Sequence, residues 1–249
     1  MSPLLILALT AIMVATAFLS GIFGMAGGLI LIRILLVLLP LPEAMALHAV
    51  TQMASNGWRG LLWWRHVRWR TVGVYLIGCL LALVAWSLWR YVPSKPVALI
   101  GLGITPFLVR LLPGGLKPDP DSAPQTVIYG VLCTTLMLLT GVSGPIFDSF
   151  FLGGKLDRRE IVATKSVCQL FGHAMKLAYF TALVDQAAVI DPVVAALAVA
   201  ASLVGTTLAR PVLEMLTDNQ YRVWATRIIT AIACYYVGYG GYLLVQPLV

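Results

Sequence analysis

"GMAGGLILIR", residues 24–33, opens like a glycine-rich loop and closes on an arginine set among apolar neighbours. Residues 1–32 hold no Asp, Glu, Lys or Arg at all. Glycines interrupt a helix, and a charge at membrane depth is expensive, so the stretch is not an ordinary spanning helix. What surrounds it settles the class. Apolar residues make up 60% of the 249-residue chain and charged residues 11%, with a mean hydropathy of +0.92. A soluble domain of this length needs far more charge to cover its surface. The uncharged runs Thr71–Trp89, Ser122–Phe147, Pro192–Ala209 and Ile228–Val249 are each close to a bilayer-spanning length. The chain reads as an all-α, polytopic protein of the cell inner membrane, with eight to ten transmembrane or re-entrant helices. Its start, MSPLLILALT, lacks a basic leader region, so no cleaved signal peptide is expected. Cys79, Cys133, Cys168 and Cys234 stand singly in apolar runs, as small core thiols with no metal-ligand spacing.

The net charge of +7 does not imply nucleic acid, because much of it lies in short loops. Arg59, Arg65, Arg68 and Arg70 form one cluster, and Lys155, Arg158 and Arg159 another. The positive-inside rule places both in the cytoplasm. The loop Asp185–Asp191 carries two acids and no base, which places it outside. Both termini are then expected outside, although Arg90 and Lys95 run against that scheme.

Sliding the chain on itself by 117 residues aligns 24–59 with 141–176 without a gap. Gly24 meets Gly141, Gly27 meets Gly144, Glu43 meets Glu160, Ala46 meets Ala163 and Gln52 meets Gln169. Leu35/Leu152, Leu39/Leu156 and Val50/Val167 bring the total to eight identities in thirty-six positions. The Gly, Glu and Gln pairs are the informative ones in so apolar a chain. Two repeats are expected, 1–118 and 119–249, within one transmembrane domain. The expected segments are 3–20, 22–39, 44–60, 71–90 and 96–112, then 124–140, 143–154, 160–181, 189–209 and 221–245. Five segments per repeat is an odd number, so the second repeat runs inverted. Inverted repeats with glycine-broken helices in matching places mark secondary transporters.

At such a break the glycines let the chain turn, and helix N-terminal amides can meet an anion. The competing reading of Gly24-x-x-x-Gly28 is a GxxxG packing motif. Both repeats keep GxxG, while the next position is Gly28 in one and Pro145 in the other, which suits a first helical turn better than a packing groove. Beside each break lies a helix with a polar stripe. The first is His48, Gln52, Asn56 and Arg59, all on one helical face; adding 117 gives Lys165, Gln169, His173 and Lys176. Neither stripe holds a carboxylate. Two such faces would line an electropositive cavity built from Gly27, Gly28, His48, Gln52, Asn56, Ser143, Gly144, Lys165, Gln169 and His173. Lys165 is expected to be the deep, permanent charge of this set. Arg59 and Lys176 lie near helix ends, where they either snorkel to the interface or serve coupling and gating. Arg33 and Asp148 lie at similar depths in the two glycine-led segments, as an ion pair or as coupling groups.

GMAGGLILIR followed by an Ala-rich helix, with GVSGPIF at the matching place in the second half, resembles the TauE/SafE sulfite-exporter permease family over nearly the whole chain. The resemblance implies multi-pass transport of sulfur-containing anions such as sulfite, sulfoacetate or sulfolactate. The chain departs from the family pattern at Ala26, which replaces a glycine, at Arg33, which replaces a proline, and at His48, which replaces a glycine. The function expected is a secondary exporter of small sulfur anions, binding lipid, its anion and a coupling proton, with no cofactor, metal or nucleic acid. No GxxxxGK[ST] motif appears, so ATP hydrolysis is not expected. One alternative is an intramembrane serine protease of the rhomboid type, because Gly141-Val142-Ser143-Gly144 is a GxSG sequence and His173 follows. A second is an anion channel.

Overall fold

The structure, a computed structural model, describes residues 3–23, 26–110, 119–152, 156, 158–184 and 187–245; some helical side chains, that of Asp148 among them, fall outside this description. Gly24, Met25, Lys155 and Asp185 also lie outside the described residues.

Ten α-helices are present among them: α1 Pro3–Phe23, α2 Ala26–Leu38, α3 Leu41–Leu62, α4 Trp69–Trp89 and α5 Lys95–Arg110, then α6 Ala123–Thr140, α7 Gly144–Leu152, α8 Arg158–Ala178, α9 Pro192–Met215 and α10 Asp218–Val245. Several of them start or stop for a local reason. Prolines sit in the first turns of α3, α6 and α9, where a missing N–H costs nothing. Asp191 caps α9 by accepting from the Val193 amide at 2.8 Å. Gly141 ends α6 in the left-handed region at φ 90°, its N–H returning to the Met137 carbonyl. Two details depart from the expected spans. A π-helical turn, Tyr179–Leu183, extends α8. Helix α9 continues through Pro211 to Met215 rather than stopping near 209, at the cost of the bond that a residue-211 N–H would make to the Thr207 carbonyl; the exposed Arg210–Glu214 pair, at 2.9 Å, spans that last turn.

Among the described residues, four helices are long and apolar enough to cross a membrane: Leu4–Phe23, Trp69–Trp89, Ala123–Thr140 and Pro192–Met215. Helices α3 and α8, of 22 and 21 residues, have the length, but their polar stripes lower the hydropathy. At 13 and 9 residues, α2 and α7 extend only about 20 and 14 Å, short of the ~30 Å hydrocarbon core. The bundle is apolar outside: Leu81, Val84 and Leu88 on α4 and Val204 and Leu208 on α9 are exposed. Its buried set includes four histidine or lysine side chains and an arginine at under a tenth exposure: His48, Lys165, His173, Lys176 and Arg59. Lipid tolerates an apolar exterior, and polar groups at that depth turn inward.

Helix α1 packs along α9, α4 along α6, α3 along α8 and α5 along α10. The α4–α6 crossing is glycine-mediated from both sides. A Cβ on Gly78 would lie 2.1 Å from the Val127 carbonyl oxygen, and one on Gly130 2.4 Å from that of Tyr75. Small residues let membrane helices approach backbone to backbone, where van der Waals contact replaces the absent hydrophobic force. At one end of the bundle Arg68, ahead of α4, holds Asp121 at 2.7 Å and Glu160 at 3.1 Å. Its backbone N–H donates to Thr164 Oγ1 at 3.0 Å. Glu160 beside it raises the guanidinium's pKa, so the charge persists at any working pH. Three of the four cysteines, Cys79, Cys133 and Cys168, are buried thiols as expected; Cys234 on α10 is exposed instead.

Candidate functional site

Helices α3 and α8 run antiparallel, and successive contacts set their register. Gly60 faces Val167, Gly57 faces Leu170, and His48 meets Lys176. The two stripes therefore look at each other. His48, Gln52, His173 and Lys176 fall at one level, and Asn56, Arg59, Lys165 and Gln169 at the other. All eight side chains are buried.

The first level is a connected relay. Lys176, 0% exposed, donates from Nζ to the Gly141 carbonyl at 2.9 Å and lies 2.7 Å from His48 Nδ1. His48 Nε2 is 2.9 Å from the Gly28 carbonyl. A carbonyl can only accept, so Nε2 carries the proton and Nδ1 is the acceptor for Lys176. The relay joins the end of α6, at one glycine break, to the start of α2, at the other. The His173 ring stands edge-on to His48 with centroids 5.5 Å apart, and its Nδ1 has no hydrogen-bond partner. At the second level Arg59 Nη2 donates to the Ser20 carbonyl at 2.9 Å, and Nη1 reaches Asn56 Oδ1 at 3.5 Å.

Several expectations change here. Snorkelling is overturned for Lys176 and Arg59, at 0% and 8% exposure: both stems turn inward, because carbonyls at the glycine-broken end of α6 and near the end of α1 offer acceptors. The most enclosed cation is Lys176 rather than Lys165, which is 7% exposed. Packing and site-lining readings of the glycines divide between neighbours. A Cβ on Gly27 would fall 1.8 Å from the Thr16 carbonyl oxygen of α1, whereas one on Gly28 would face Gln52 Oε1 at 3.2 Å. Gly27 thus packs, and Gly28 faces the stripe. Ser143 and Gly144 stand at the start of α7, both buried, and the Ser143 hydroxyl makes no hydrogen bond. The Ser143–His173 bond that a protease requires is therefore missing.

Arg33 is held by aromatic rings. Its guanidinium lies 4.1 Å from the Tyr239 centroid and 5.9 Å from that of Tyr235, with Nη2 donating to the Tyr235 hydroxyl at 3.4 Å. The Asp148 side chain lies outside the described residues. The two tyrosines are stacked, 11° apart, and give the cation on α2 an aromatic face. Arg33→Gln should lower stability by about 0.5–2 kcal/mol, the worth of a cation–π contact, and leave flux per folded molecule intact. Thermal unfolding and flux measured together check this; a lost flux at normal stability would return Arg33 to coupling.

Residues absent from the sequence expectation also border the site. Ser20 and Gly141 act through backbone carbonyls, which no side-chain pattern reveals. Tyr75 and Thr134 are wholly buried inside runs that read as plain spans; a hydroxyl in an otherwise apolar run was the only signal.

No carboxylate accompanies this cationic set among the buried polar residues described. Such an interior suits an anion, whose charge completes it. The family model described as sulfite exporter TauE/SafE matches residues 8–236. Neither the curated proteins nor the solved structures contain a match to the chain.

Proposed function

The chain belongs to the sulfite exporter TauE/SafE family, and we propose that it exports sulfite or a small organosulfonate across the inner membrane by alternating access of two inverted repeats. One observation carries the choice of an anion: Lys176, His48 and His173 are buried together, and no carboxylate is among the buried polar residues described. The SO3 head of a sulfonate stays ionised at physiological pH, so its site needs permanent donors, which lysine, arginine and glutamine supply.

The inverted repeat draws support from the two levels of the site. The 117-residue shift that aligns the halves carries His48 and Gln52 onto Lys165 and Gln169, and Asn56 and Arg59 onto His173 and Lys176. It therefore exchanges one level with the other. The same shift exchanges the α1–α9 packing with α6–α4 and leaves α3–α8 and α5–α10 each on itself. In this arrangement the Arg68 end is cytoplasmic, and the anion passes from the Arg59–Lys165 level to the His48–Lys176 level.

Proton coupling is assigned to His48. With Nε2 tied to Gly28, a second proton would have to enter at Nδ1, where it displaces the Lys176 contact. Proton entry and release of the relay are then the same event, and a two-state element is biased by charge.

The test is flux of sulfite from proteoliposomes containing the purified protein. Wild type should move sulfite or a sulfonate against empty-vesicle controls. Gln52→Ala and Gln169→Ala, exchanged by the repeat, should each weaken apparent affinity by a similar factor, about tenfold or less. Proteoliposomes that move none of sulfite, sulfoacetate or sulfolactate would overturn the proposal.

A further inference from the structure

Four buried polar atoms without a hydrogen-bond partner gather where α4, α6, α7 and α8 meet. They are the Tyr75 hydroxyl, Thr134 Oγ1, Ser143 Oγ and His173 Nδ1, on residues 0%, 0%, 1% and 3% exposed. Cys133 lies beside both Tyr75 and Ser143, and Cys79 beside Tyr75 and Thr134. The thiols are weak partners, and none satisfies a hydroxyl with hydrogen-bond geometry. The Tyr75 hydroxyl is also 3.8 Å from where a Cβ on Gly172 would stand, one residue before His173. The Tyr75 ring meets Phe147 of α7 edge-on at 5.1 Å.

Buried hydroxyls are normally bonded, and leaving one unsatisfied is costly. Four at one junction need a reason. Ser143 is the most informative. A serine just ahead of a helix ordinarily turns its Oγ onto the second or third amide as a cap. Here α7 begins at Gly144 and the Ser143 hydroxyl caps nothing. The Tyr75, Thr134 and Ser143 hydroxyls are then left around Cys79 and Cys133, beside the start of α7.

We propose that Tyr75, Thr134 and Ser143 form a neutral donor subsite that takes the oxygens of an SO3 group at the N-terminus of α7, while the His48–Lys176 level supplies the charge. The inference rests on the anion-transport reading above and adds the residues that recognise the head group. Hydroxyls suit this task because they supply direction without a second positive charge. An anion bound by cations alone would be too tightly held to leave the opposite side. Sulfite and an organosulfonate share the SO3 head, so the subsite accepts either; what extends beyond the sulfur distinguishes them.

Removing one of these hydroxyls should move stability and binding in opposite directions. Tyr75→Phe deletes an unsatisfied polar atom, so the ligand-free protein should melt at the same or a higher temperature. Sulfite should bind the variant about tenfold or more weakly. Thr134→Val, which keeps shape and loses the hydroxyl, should do the same; Ser143→Ala serves as the third variant if either fails to fold. Binding is measured by calorimetry on the detergent-solubilised full chain, with sulfite and sulfoacetate as separate titrants. Equal losses for both anions place the subsite on the SO3 head. A loss confined to sulfoacetate overturns that placement. A lowered melting temperature with unchanged sulfite affinity makes the hydroxyls structural and overturns the subsite alone. Wild type that binds neither anion overturns the transport reading together with it.

Discussion

Lys176→Met should abolish anion flux in a protein that still inserts and folds. The ammonium is fully enclosed and does two things at once. It satisfies the carbonyl of Gly141, which sits in a left-handed turn and cannot return that carbonyl to a continuing helix. It also donates to His48 Nδ1, holding the ring whose other nitrogen is anchored on Gly28. Methionine keeps the length of the stem and deletes the charge. The Gly141 carbonyl loses its partner, a cost of about 1–3 kcal/mol in stability. The anion loses a charge-assisted bond, roughly ten- to hundred-fold in affinity. Without that donor the relay between the two glycine breaks is gone, so turnover should fall further than binding. Lys176→Arg should rescue poorly, because a planar fork cannot occupy an enclosed site shaped around a point charge. Equilibrium sulfite binding and vesicle flux on the same preparation read the two effects separately. Near-normal flux in Lys176→Met would show that the relay is scaffolding.

Gly27→Ala and Gly28→Ala should fail in different ways although they are neighbours and carry the same substitution. At Gly27 the new methyl would lie 1.8 Å from the Thr16 carbonyl oxygen and 2.8 Å from the Ser20 amide nitrogen, both backbone atoms of α1. Backbone cannot step aside, so α1 and α2 must separate. Overpacking costs typically about 1–3 kcal/mol and more where the obstruction is rigid. The Gly27→Ala protein should be recovered in low yield with a clearly lowered melting temperature. At Gly28 the methyl meets only the end of the Gln52 side chain, Oε1 at 3.2 Å and Nε2 at 3.4 Å. A flexible amide can move. Gly28→Ala should fold normally and lose affinity, because Gln52 has been pushed off its position. Matching melting curves for the two variants would sink this distinction.

The amino-acid order alone was enough for the class and for the long apolar helices, and it is where the proposed repeat is read. A run of twenty apolar residues has few options in water and one obvious place in lipid, and the offset of 117 is arithmetic on letters. The second glycine break was equally legible: α6 ends at Thr140, Gly141 turns left-handed, and α7 begins at Gly144. Helical spacing also placed each stripe on one face. What spacing cannot say is which end of a long side chain goes where. Lys176 and Arg59 read as interfacial because they stand near helix ends; their actual course depends on acceptors supplied by other segments, the Gly141 and Ser20 carbonyls. The rings that hold Arg33, Tyr235 and Tyr239, lie some two hundred residues away, and no local spacing announces them. Gly27 and Gly28 are one letter repeated, and only the arrival of α1 on one side and Gln52 on the other gives them different work. Local periodicity is a property of one segment, so the sequence carries it openly. A hydrogen bond or a steric limit belongs to two segments, and the distance between them exists only once the helices have packed.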